Sequence, residues 1–128
     1  MTTMKNLVAG LFLIVVSFSV SAQDKVSNKA IKTVSLEQTN GEFTQKAITL
    51  SEGTYVFEIA NSGVDHEVGF VLAPKGKTDA ANHIKDAYVT KTVATNTKQI
   101  SNEVTLTKGE YVYFCPMNPT PQYHLIVE

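Results

Sequence analysis

Apolar and polar residues alternate along most of this chain, and Gly, Pro and Asn interrupt the alternation at short intervals. The segment "TYVFEIA" at 54–60 sets Tyr55, Phe57 and Ile59 on one face, the period-two signature of a half-buried strand. Upstream, Ile31, Thr33 and Ser35 alternate with Lys32, Val34 and Leu36 in a β-prone run. The dipeptide Asn40-Gly41 then predicts a tight turn into a second strand over 43–50. Asn61-Ser62-Gly63 is another turn, and a strand over 68–73 follows, stopped by Pro74 and Gly76. Strands over 99–106, 110–115 and 123–128 complete the pattern. One stretch differs: "TDAANHIKDAY" at 78–88 carries helix-compatible residues, with Ala80, Ile84 and Ala87 able to share a face. Short strands at hairpin-like spacing predict an all-β fold, an antiparallel two-sheet Greek-key sandwich with a short helical insert around 78–88.

The first residues follow a different pattern. Lys5 precedes an almost wholly apolar run over 7–20, and Val20-Ser21-Ala22 ends it with small residues. That arrangement predicts a secretory signal peptide over 1–22, cut after Ala22. The run is shorter than the roughly 20 residues a membrane span needs. Gln23, not Cys, follows the expected cut, which argues against a lipoprotein anchor. The expectation is therefore a periplasmic or secreted single domain over 23–128, free of the membrane once the leader is removed and large enough for a core without disulfides.

Charge narrows the partners. Every basic residue is a lysine, and without Lys5 ten lysines face twelve acidic residues. With no arginine fork and no basic cluster, the expectation is no nucleic-acid partner. Enzyme signatures are missing as well: there is no Gly-x-Ser-x-Gly, no phosphate loop and no His-Glu-x-x-His.

The remaining chemistry sits in "GEYVYFCPMNPTP" at 109–121, where a strand ends in the single cysteine, Cys115, and runs into a loop with three prolines. A lone thiol there is a metal ligand, a reactive thiol, a dimer bridge or a buried small residue. No Cys-x-x-Cys partner exists for thiol oxidoreductase chemistry. The three histidines are His66, just after a turn between Asp65 and Glu67, His83 in the helical insert, where it reads as solvated, and His124 in the last strand. If Tyr123, Leu125 and Val127 face the core, His124 points outward; a bulge after Pro121 would turn it in. A thiolate, imidazoles and the Met117 thioether are together the donor types that suit copper.

Three segments carry a family resemblance: "GTYVFEIANSGVDHEVGFVLAP" at 53–74, "NEVTLTKGEYVYFCP" at 102–116 and the terminal "HLIVE". The chain resembles a cupredoxin, the plastocyanin and amicyanin type of small blue-copper sandwich. The resemblance implies a copper cofactor, with His66 and Cys115 as ligands brought to one pole. It also implies departures. The usual place of the second histidine, third after the cysteine in a short loop, holds Asn118, and the place of the axial methionine falls on Pro121. Met117 and His124 are the candidate substitutes. The implied function is electron transfer or copper handling at an altered site, by a monomer with a redox partner protein, and not catalysis. The alternative is a metal-free module of the same fold that binds a protein partner.

Overall fold

The computed structural model describes residues 30–128, so the expected leader at 1–22 lies outside the described residues. Eight strands form two four-stranded sheets. They are β1 (Ile31–Thr39), β2 (Glu42–Phe43), β3 (Ala47–Leu50), β4 (Gly53–Asn61), β5 (Val71–Pro74), β6 (Lys98–Leu106), β7 (Gly109–Phe114) and β8 (Tyr123–Val127). One sheet runs β2-β1-β4-β6 and the other β3-β8-β7-β5.

The sandwich is the one expected, but its sheets are mixed and not purely antiparallel. β1 pairs parallel with β4, and β3 pairs parallel with β8. The cause lies in the segment read as a single strand over 43–50. After the Asn40-Gly41 turn, where Gly41 takes φ 74°, the chain pairs with β1 for only two residues. It leaves that sheet after Phe43 and joins the other at Ala47. The return strand β4 then enters beside β1 in the same direction.

Alternation sets the core as read. Tyr55, Phe57 and Ile59 of β4 are buried, with Leu36 of β1 and Leu125 and Val127 of β8. Phe43 fills the centre, its ring edge-on to Tyr113 at 5.1 Å, to Tyr123 at 5.7 Å and to Phe70 at 6.1 Å. Such edge-to-face clusters add to the burial of large aromatic area. A bulge between Val56 and Glu58 interrupts β4 against β6, and the buried Ser101 hydroxyl accepts the Phe57 N–H there at 2.9 Å.

The helical insert consists of two short 3-10 turns, Ala80–Asn82 and Lys85–Ala87. His83 lies between them and is not the solvated residue expected. Its Nε2 lies 2.9 Å from the Thr78 carbonyl and its Nδ1 2.7 Å from the Tyr88 hydroxyl, so the ring ties the two ends of the insert together. The ring also stands edge-on to Phe114 of β7 at 6.0 Å.

Tyr113 is fully buried and donates its hydroxyl to the Gln45 carbonyl at 2.5 Å. Burial, with the Tyr123 phenol beside it, pushes its pKa from 10.0 up to about 12. The folded state therefore holds this proton more tightly than the unfolded chain. The resulting stabilisation is complete below pH 10 and is lost as pH rises through about 12. Denaturant titrations at neutral and alkaline pH should show Tyr113→Phe about 1 kcal/mol less stable at neutrality, through the lost hydrogen bond. The same variant should lose less stability than the parent on going to high pH.

Candidate metal centre

Cys115 follows the last residue of β7, at the end of the sandwich where the loop after β4 and the proline loop meet. The residue is buried, 1% exposed. Two backbone N–H groups donate to its sulfur, from Gly69 at 3.3 Å and from Asn118 at 3.3 Å. Each comes from a different loop, and each loop has its own reason to be rigid.

The first loop runs from β4 to β5. Asn61, the last residue of β4, is buried, and its side chain spans the turn. Its Oδ1 accepts from Val64 N–H, while its Nδ2 donates to the His66 carbonyl at 2.9 Å and the Val93 carbonyl at 3.1 Å. Val68 then exchanges two backbone hydrogen bonds with Val93, at 3.1 and 2.9 Å. The strand expected over 68–73 therefore begins only at Val71, and residues 68–70 bend toward the sulfur.

The second loop closes on itself. Cys115 N–H donates to the Thr120 hydroxyl at 3.0 Å, and Thr120 N–H returns to the Cys115 carbonyl at 3.3 Å. Pro116, Pro119 and Pro121 restrict φ in between.

The Asn118 side chain is engaged by the hairpin at both ends of its amide. It is 3% exposed, its Oδ1 accepts from Gly41 N–H at 2.8 Å, and its Nδ2 donates to Thr39 carbonyl at 2.9 Å and Gln38 Oε1 at 3.1 Å. Both amide hydrogens are spent, and the group is turned into the β1–β2 turn. Gln38, fully buried, donates its Nε2 to the Gly69 carbonyl at 2.7 Å.

The candidate residues are distributed unequally around this pole. Met117 is 45% exposed, and its Sδ lies over Gly69, so close that a Cβ there would stand 3.3 Å from it. Both soft sulfurs thus border one glycine. His66 stays on the exposed part of the first loop, with its Nδ1 2.9 Å from the Glu67 carbonyl. A carbonyl can only accept, so in the neutral ring Nδ1 carries the proton and Nε2 keeps its lone pair. The Glu67 carboxylate accepts from the Thr92 hydroxyl. His124 faces outward on β8, opposite Val112 and beside Ala47, as the inward register of Leu125 and Val127 requires. Among the described residues, no three His, Cys, Asp or Glu side chains gather as a metal-holding group.

Two residues escaped the sequence reading. Gln38 stands in the inward register of Val34 and Leu36, so alternation alone marks it as a polar side chain in the core. Gly69 is a glycine inside a β-prone run, the usual sign of close backbone approach.

A blue-copper donor set of two imidazoles and a thiolate does not fit these residues. Asn118 is committed elsewhere, His124 is on the outer face, and both His83 nitrogens are hydrogen-bonded. The two sulfurs that border Gly69 are instead of the donor type that suits a soft monovalent ion.

A family model for the cupredoxin-like domain matches residues 9–127. Auracyanin A, a blue copper protein of Chloroflexus aurantiacus, is 20% identical, with 77% of this chain and 100% of that one covered at a TM-score of 0.58. The auracyanin of Roseiflexus castenholzii is 16% identical, over 75% of this chain and 96% of that one, at 0.59. Auracyanin B is 16% identical, over 76% and 88%, at 0.60. At these identities the likeness shows the fold. No curated protein sequence matches the chain.

Asn118→Ala should leave Gly41 N–H, Thr39 carbonyl and Gln38 Oε1 without their buried partner. The expected loss is about 2–3 kcal/mol, read as a lower urea midpoint at unchanged slope.

Proposed function

The chain belongs to the cupredoxin-like domain family, and from that premise we propose that it is an exported copper-handling protein that holds Cu(I) through Cys115 and Met117. The observation that carries this reading is the pair of sulfurs on Gly69. Cys115 Sγ accepts the Gly69 N–H, and Met117 Sδ covers the Cα side of the same residue. Thiolate and thioether favour Cu(I), and two backbone N–H groups are already aimed at the Cys115 sulfur. His66, with its Nε2 lone pair free on the neighbouring loop, is the proposed third donor. His124 takes no part.

Export rests on the leader at 1–22, with the domain at 23–128 as the mature protein. Among the described residues no helix is long and apolar enough to cross a membrane. The protein acts as a monomeric carrier or store and not as a catalyst, passing its ion or an electron to a protein partner. With its second histidine place spent on a structural amide, copper handling is favoured over fast electron transfer. The blue-copper chemistry named for auracyanin A stays with that protein.

Titration of the purified protein with Cu(I) against a chromophoric competitor should show one bound ion. Cys115→Ser should abolish binding, and Met117→Ala and His66→Ala should each weaken it about tenfold or more, while His124→Ala should change little. Cu(II) should give no intense visible thiolate band. An intense blue colour that vanishes with His124→Ala would overturn the reading, and so would Cu(I) binding that survives Cys115→Ser.

A further inference from the structure

The two N–H groups on the Cys115 sulfur belong to residues that are also joined by a single side chain. Gln38 Nε2 donates to the Gly69 carbonyl at 2.7 Å, and Gln38 Oε1 accepts from Asn118 Nδ2 at 3.1 Å. Gly69 N–H and Asn118 N–H then meet at the sulfur, each at 3.3 Å. A closed circuit results, running from Sγ through Gly69 to the Gln38 amide and back through Asn118.

We infer that Gln38 is the positioning residue of the Cys115 thiol: one buried amide sets both N–H donors on the sulfur and holds the β1–β2 turn over it. Burying an amide completely carries a desolvation cost, which an apolar residue of the same length would avoid. That cost is offset only if the amide's two ends are both used, and here each end reaches one of the sulfur's two donors. The neighbouring Asn118 bonds to Thr39 carbonyl and Gly41 N–H extend the hold to the turn, which follows Gln38 in sequence. Sulfur access is thereby coupled to the N-terminal hairpin. Nothing in the proline loop alone would do this, because its own closure through Thr120 does not touch Gln38.

The inference concerns the metal-free sulfur, and it rests on the copper reading only for what that sulfur holds. Two near-isosteric substitutions test the amide, one at a single end and one at both. Gln38→Glu keeps an oxygen for Asn118 Nδ2 but sets a carboxylate oxygen against the Gly69 carbonyl. Gln38→Met keeps the length and removes both bonds.

The test uses the metal-free protein. Amide proton shifts and exchange rates of Gly69 and Asn118 are measured by NMR, with the alkylation rate of Cys115 by iodoacetamide in native buffer. In Gln38→Glu the Gly69 amide should move and lose protection while Asn118 keeps most of its own. In Gln38→Met both should change, and alkylation should accelerate about tenfold or more as local opening becomes easier. Core amides of β4, such as Phe57 and Ile59, should keep their order of protection in both. If Gly69 and Asn118 change no more than those core amides, or if alkylation follows only the global unfolding equilibrium, Gln38 is an ordinary core residue and the inference fails. Should Gln38→Met not fold, the Gln38→Glu asymmetry decides alone. Cu(I) titration of the same variants keeps the two readings apart: a parent protein that binds no Cu(I) removes the copper proposal and leaves the amide result standing.

Discussion

A polar side chain inside a sandwich must find its hydrogen bonds among the backbones around it, and that constraint organises the functional end of this protein. Gln38 enters the core in register with Val34 and Leu36. Its amide is beyond the reach of water, so the chain must bring a carbonyl and an amide donor to it. Gly69 and Asn118 are what it brings, from two loops far apart in sequence. With both loops fixed in this way, their N–H groups converge on Cys115. One buried amide thus joins two loops that each have a closure of their own, through Asn61 and Val93 on one side and Thr120 on the other.

The alternating pattern made the fold legible because each strand buries one face and leaves the other wet. Tyr55, Phe57 and Ile59 could have only one orientation in a two-layer sandwich, and they have it. The parallel pairings were not legible. Whether a strand lies parallel or antiparallel depends on where the chain changes sheets, and the change after Phe43 leaves no mark in the polarity pattern of 43–50. The insert shows a similar limit: Ala80, Ile84 and Ala87 are compatible with a helix, but only short 3-10 turns form. His83 fixes their ends through contacts that periodicity does not encode.

At the site, Cys115 stood out because the strand before it and the prolines after it are local signals. His66 was picked out by its place after a turn, but the residue that reaches the sulfur from that loop is Gly69. A Cβ at that position would stand 3.3 Å from Met117 Sδ, so the exposed thioether would have to give way by a few tenths of an ångström. Asn118 was read as standing at a ligand's place, and its burial gives the reason an amide suits it. It has three partners in the hairpin, which an imidazole could not satisfy together. Such long-range pairing is invisible in a single sequence, because the partners of Asn118 lie near the other end of the domain.

On the proposed reading, a structural amide where the family resemblance implies an imidazole also bears on which oxidation state such a pole could hold. A two-imidazole, one-thiolate set serves both copper states, and small reorganisation between them is what electron transfer needs. Removing imidazoles lowers the affinity for Cu(II) far more than for Cu(I), since the softer ion is content with few sulfur donors. The circuit through Gln38 acts in the same direction. It keeps the thiol inside the protein with two hydrogen-bond donors already in place, and the exposed Met117 stands where an ion would arrive from solvent. On the proposed reading, a rigid electron-transfer pole has become a rigid cradle for a soft ion. On that reading the rigidity is kept and the donors differ, because Asn118 serves the hairpin and not a metal.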